Sequence, residues 1–141
     1  MGLLKEKDRP AVKQMLEGMP SEVTLTYFTQ ELECDFCGET HELLEELCSI
    51  QEKIKLRVLD FNKDREEAEK YGIDKIPATV VSNGRDLGIR FYGIPAGYEF
   101  SSLLETILMV SEGESGLLPE SKKLLEEIKV PVHLQVFVTP T

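Results

Sequence analysis

The sequence predicts a mixed α/β fold whose elements run β-α-β-α-β-β-α behind an extra N-terminal helix. Three observations predict it. Two runs of strand-like alternation, over 23–29 and 54–60, are each followed by a stretch of helical period, the pattern of strands joined by crossover helices. Two later strand-like runs, Ala78-Thr79-Val80-Val81 and Gly88-Ile89-Arg90-Phe91-Tyr92, are separated by Ser82-Asn83-Gly84-Arg85-Asp86, which is hairpin-turn chemistry. The chain has 141 residues, enough for one well-buried core and a fragment of another.

Each element has a local reason. Residues 3–18 read as an amphipathic helix interrupted at Pro10, a residue that suits a first turn better than an interior. The strand at 23–29 follows Pro20. A helix over 35–51 places Leu43, Leu44, Leu47 and Cys48 on one face, and Glu39, Glu42, Glu45 and Glu46 toward solvent. The strand at 54–60 leads to a short polar helix over 63–71, which Gly72 ends. After the hairpin, a helix at 98–111 closes the unit.

Residues 114–141 read as the truncated opening of a second, similar unit, and 1–113 as the first. A helix over 120–129 and a strand over 131–139 repeat the helix, Pro20 and strand met about 110 residues earlier. The alternative is a C-terminal helix and strand that complete the first sheet.

Composition excludes several classes. A net charge of −10 without clustered Lys or Arg argues against nucleic acid. No run of 18 apolar residues is present, so neither a transmembrane helix nor membrane association is expected. The first residues lack the apolar core of a signal peptide, and the expected location is the cytoplasm. Richness in Glu and Lys with only six Asn plus Gln points toward a thermophile.

Chemistry concentrates at Cys34-Asp35-Phe36-Cys37, where the first strand meets the following helix. Cysteines three apart across one helical turn stand ~5–6 Å apart at Cα, within disulfide reach. A helix N-terminus offers free N–H groups and partial positive charge to a thiolate. Cys34, ahead of the first turn and more exposed, reads as the nucleophile; Cys37, inside that turn, reads as the resolving thiol. The acidic neighbours Glu31, Glu33 and Asp35 oppose the thiolate. An exposed charge ~8 Å away contributes about half a kcal/mol. One pKa unit is about 1.36 kcal/mol, and thiols of such pairs fall by several, so the helix terminus prevails.

Cys34, Cys37, His41 and Cys48 together resemble a metal set. However, the 11 residues from Cys37 to Cys48 span about 16 Å of helix, while zinc needs every ligand within ~2.0–2.3 Å of one point. No metal and no cofactor is expected. His41 reads as a partly exposed helix residue and Cys48 as a small core residue. Ile76-Pro77, just before a strand, is a candidate substrate edge: a cis bond there would leave the Ile76 N–H and C=O free for an extended peptide.

The CxxC at a helix start, the βαβ and the segment Ile76-Pro77-Ala78-Thr79 resemble the thioredoxin fold. With Tyr71-Gly72-Ile73 and the run from Phe91 to Phe100, residues 1–112 resemble the N-terminal unit of the glutaredoxin-like protein disulfide oxidoreductases of hyperthermophiles. That family joins two thioredoxin-fold units, each with a CxxC. The resemblance implies thiol–disulfide exchange with protein substrates, with Cys34 as nucleophile, Cys37 as resolving thiol and Pro77 as the cis-proline. It also implies protein thiols and disulfides as partners, with a thioredoxin-reductase-like electron donor. Two departures stand out. Phe28 occupies the position where thioredoxins carry a buried carboxylate, and no second CxxC is present. A glutathione-dependent glutaredoxin is the rival of similar chemistry, although Arg57, Lys75 and Arg85 show no convergence in sequence. A non-catalytic binding module is the rival of another class.

Overall fold

In a computed structural model, which describes residues 2–139, the alternating runs form a four-stranded sheet in the order β2-β1-β3-β4. Met1, Pro140 and Thr141 lie outside the described residues; the last two end the segment read as a second unit. Strand β1 (Val23–Thr29) pairs in parallel with β2 (Ile54–Asp60), as a crossover connection requires. Strand β3 (Ala78–Ser82) runs antiparallel to β1 and to β4 (Asp86–Tyr92), so the predicted mixed sheet and hairpin both form. The turn between them uses Gly84 at φ 99°, backbone that a side chain would strain.

Alternation along β1 sends its residues to two cores. Val23, Leu25 and Tyr27 join Leu43, Leu44 and Leu47 of α2 (Cys37–Ile50) and Leu103, Leu104 and Ile107 of α4 (Tyr98–Glu112). Phe28 turns to the opposite face, against Ala68 of α3 (Arg65–Lys70), Leu59, Ile73 and Val80. Helices thus cover both faces of the sheet, and α2 delivers its N-terminus to the C-terminal end of β1.

Two expectations are corrected. Helix α1 is Arg9–Leu16 rather than 3–18, with Pro10 in its first turn. Residues 3 and 4 are instead held by their backbone N–H groups on the Glu46 carboxylate, which also pairs with Arg9 at 3.2 Å. The strand expected over 131–139 does not form. Helix α5 (Pro119–Glu126) forms but ends three residues before the expected 129, and the described residues after it are exposed and carry no strand, because among the described residues no neighbouring strand meets their N–H and C=O groups.

Candidate functional site

The first turn of α2 carries the paired cysteines. Cys34 and Cys37 are joined as a disulfide with Cα atoms 5.5 Å apart, within the range read from the spacing. Cys37 is the first helical residue and only 3% exposed; Cys34, three residues earlier, is partly open to solvent. Phe36 caps the helix without a side-chain hydrogen bond. The Gly38 and Glu39 N–H groups therefore have no protein partner among the described residues and are available to charge at the sulfurs. Glu33, immediately before Cys34, holds φ at 56°, a left-handed conformation costly to a side-chain-bearing residue.

An open cleft of about 550 Å³ borders both cysteines. One wall is the β1 exit and α2, with Gln30, Glu31 and His41; the other is the β2–α3 connection, with Asp60, Lys63 and Asp64. The parallel pairing of Thr29 with Asp60 brings these walls together. The Lys63 and Asn62 backbone N–H groups, each 2.9 Å from an Asp60 carboxylate oxygen, hold that carboxyl below the usual carboxylate range. Asp60, Lys63 and Asp64 were missed in sequence because the contact arises from strand register, not from local spacing. His41 sits 3.3 Å from Glu45 and packs its ring on that of Tyr27.

Beneath the pair the two faces of β1 differ. Phe28 is fully buried, edge-on to Tyr71, in an apolar cluster, which agrees with its reading as the replacement for a buried acid. On the other face the fully buried Tyr27 donates its hydroxyl to the Cys37 carbonyl at 2.6 Å. Cys48 is half-buried against the main core, and burial, followed by the charge of Glu45, pushes its thiol up, away from reactive thiolate.

The Ile76–Pro77 peptide is cis. Pro77 is buried and its carbonyl accepts the Gly93 N–H at 2.8 Å, whereas the Ile76 N–H and C=O make no hydrogen bond among the described residues. Arg57 and Arg85 do share a pocket, with Lys70, but it is lined by Thr24, Thr26 and Ser82 and shares no residue with the cysteine cleft. Lys75 is engaged by Asp74 at 2.9 Å and lies over the Tyr92 ring. Among the described residues, no cationic group but Lys63, apart from His41 when protonated, lines the cleft beside the cysteines.

Among known proteins, no family description matches the chain. The F subunit of alkyl hydroperoxide reductase (AhpF) in Staphylococcus epidermidis is 32% identical over 136 residues, covering 92% of this chain and 23% of that protein. Its counterpart in Xanthomonas campestris is 32% identical over 97 residues, 69% of this chain and 16% of that protein. The chain thus spans about a quarter or less of the curated relatives it matches. Among solved structures, a protein disulfide oxidoreductase of Aeropyrum pernix superposes with a TM-score of 0.79 at 27% identity, covering 89% of this chain and 55% of that one. The N-terminal N/C domain of Enterococcus faecalis AhpF gives 0.77 at 27% identity, covering 85% and 58%.

Proposed function

We propose, proceeding from the membership of this chain in the thioredoxin-fold superfamily, that it is a thiol–disulfide oxidoreductase unit acting through Cys34 and Cys37. One observation carries the reading: a disulfide at an uncapped helix N-terminus, with one sulfur-bearing residue open to a cleft and the other buried. In the reduced protein the Cys34 thiolate attacks a substrate disulfide, forming a mixed disulfide and releasing one substrate thiolate. The Cys37 thiolate then attacks the Cys34 sulfur, expels the second substrate thiolate and restores the Cys34–Cys37 bond. Two electrons pass to the substrate, and a dithiol donor returns them. An extended substrate segment pairs with the unbonded N–H and C=O of Ile76, beside Pro77.

The substrates on this reading are protein disulfides, and the donor is a protein dithiol of the thioredoxin-reductase kind. A cytoplasmic site of action belongs to the same reading, as does a thermophilic source, which the abundance of Glu and Lys supports. Among the described residues no helix is long and apolar enough to cross a membrane. Residues 114–141 belong, on this reading, to the start of a second such unit; the solved relatives, of which this chain covers 55% and 58%, support that division. A second reading is favoured by the 32% identity to AhpF: the dithiol serves a dedicated partner within a peroxide-reducing system.

Turnover of insulin disulfides with dithiothreitol tests the proposal. Cys34→Ser is expected to abolish it, and Cys37→Ser to accumulate mixed disulfides. Equal rates in the parent and both variants would sink the proposal. Poor insulin turnover combined with rapid exchange with a peroxide-reducing protein would favour the second reading.

A further inference from the structure

Two buried hydroxyls act on the peptide groups nearest the sulfurs, and the exchange chemistry described above leaves them unused. The Tyr27 hydroxyl donates to the Cys37 carbonyl at 2.6 Å, and the Thr40 hydroxyl donates to the Phe36 carbonyl at 2.7 Å. Both side chains belong to fully buried residues. The Phe36 carbonyl already accepts the Thr40 N–H at 3.0 Å, and the helical ladder supplies a donor to the Cys37 carbonyl, so each hydroxyl is an additional donor.

The identity of the peptide groups gives these bonds their meaning. The Cys37 carbonyl shares its peptide unit with the Gly38 N–H, and the Phe36 carbonyl shares its unit with the Cys37 N–H. Those N–H groups open α2 beside the disulfide; that of Cys37 reaches only the Cys34 carbonyl, at 3.5 Å, and that of Gly38 has no partner among the described residues. A donor on a carbonyl polarises the whole amide and strengthens its N–H as a donor. Burial also pushes the Tyr27 phenol above its ordinary value, with the nearby Thr29 and Thr40 hydroxyls offsetting part of the shift, so it remains an O–H donor at neutral pH.

We propose that Tyr27, seconded by Thr40, is a positioning residue for the dithiol: its hydroxyl fixes the first turn of α2, polarises the Cys37–Gly38 peptide and thereby stabilises a thiolate at Cys34. The inference rests on the reading of Cys34 as the attacking thiolate. Reduction of the disulfide by a dithiol takes two electrons and one proton, leaving a thiol at Cys37 and a thiolate at Cys34, the charge that the polarised N–H groups meet. Glu31, Glu33, Asp35 and Glu39 near the pair and Asp60 and Asp64 across the cleft oppose that charge, while Lys63 favours it and His41 does so when protonated. A Tyr27→Phe substitution keeps all of these groups and the ring, and removes only the hydroxyl.

The test measures the Cys34 thiolate in the reduced chain by its ultraviolet absorbance across pH, and the reduction potential by equilibration with glutathione. Tyr27→Phe is expected to lower the thiolate fraction about threefold, a rise of about half a pKa unit. With tenfold corresponding to 29.6 mV for two electrons, the potential becomes more negative by about 15 mV. Thr40→Val is expected to act in the same direction through the Phe36–Cys37 peptide, and it decides the matter should Tyr27→Phe fail to fold. A fall in thermal stability with thiolate pKa and potential both unmoved would reduce Tyr27 to a packing residue and overturn the inference. The pKa measurement needs no turnover, so it stands apart from the exchange assays: a chain that exchanges with neither insulin nor a peroxide-reducing protein yet shows the shift refutes the function and upholds Tyr27.

Discussion

Ending the chain after Gly113 is the perturbation that separates the two readings of its C-terminal segment. Gly113, at φ 73°, closes α4 by donating its N–H to the Met109 carbonyl, and Ser111 just before it accepts the Ser21 N–H at 3.1 Å and donates to the Ser21 carbonyl at 2.7 Å. The unit is therefore tied shut before residue 113. None of residues 113–139 is buried, and the ion pair made by α5, Lys122 with Glu114 at 2.9 Å, is internal to the segment. Little apolar surface is given up by its removal, so the stability change should stay within about 0.5 kcal/mol, or roughly 2 °C in Tm for a domain of this size. A segment that completed the first sheet would instead bury several Val and Leu side chains worth about 1.5–3 kcal/mol each, and its loss would unfold the protein. The assay is thermal unfolding by circular dichroism, with insulin turnover alongside. A drop in Tm beyond roughly 8 °C, or loss of a cooperative transition, refutes the division at 113. Turnover is expected to be retained, because the residues lining the cysteine cleft fall between Thr29 and Asp64.

Two further outcomes follow from single side chains. The Thr79 hydroxyl is buried without a hydrogen-bond partner among the described residues, a state that costs about 1–3 kcal/mol; the isosteric Thr79→Val should therefore raise Tm by several degrees, and a lower Tm refutes the assignment. The Arg90 guanidinium, 2.7 Å from Asp86, and the Gly88 N–H hold the Asp86 carboxyl down at about 2. Because the folded value is the lower one, the contribution of this pair to the β4 end of the hairpin is full above the ordinary carboxylate range and is lost as pH falls from about 4 through about 2. A carboxyl resonance of Asp86 titrating near 4 would refute the pairing, and Arg90→Gln should move the midpoint up toward that value.

The parts of the fold legible in sequence are those whose physics is local. Strand β1 and strand β2 have the bounds read from their alternation, because a sheet imposes a period of two on any strand with differing faces. The reach of Cys34 to Cys37 for a disulfide was legible because three residues make nearly one helical turn. The misreadings share one cause, the need for a distant partner. Leu3 and Leu4 have helix-like periodicity, but the Glu46 carboxylate takes their N–H groups and Pro10 sets the helix start. Val132, Leu134, Val136 and Val138 alternate as a strand should, yet no strand among the described residues pairs with them and they remain exposed. Tyr27 stands in sequence only as a member of the alternating run 23–29. Where its hydroxyl ends depends on how α2 packs across the sheet, which no spacing in the sequence records.

The division of labour on β1 has a chemical consequence. With Phe28 sealed in an apolar cluster, that face of the strand presents no carboxylate, imidazole or amine of the cluster to the dithiol from behind among the described residues. Glu31, His41, Asp60, Lys63 and Asp64 line the open cleft, and Glu33, Asp35 and Glu39 beside the cysteines are exposed, so water and salt screen them all. The buried side contributes neutral hydroxyls instead, whose dipoles do not titrate near neutral pH and are shielded from screening. Stabilisation of the thiolate from within therefore remains constant as pH and ionic strength change, while opposition from the acids weakens as salt rises. A dithiol arranged this way gains reactivity with salt when its substrate is neutral and loses it when the substrate is basic, because the acids that oppose the thiolate are those that attract such a substrate.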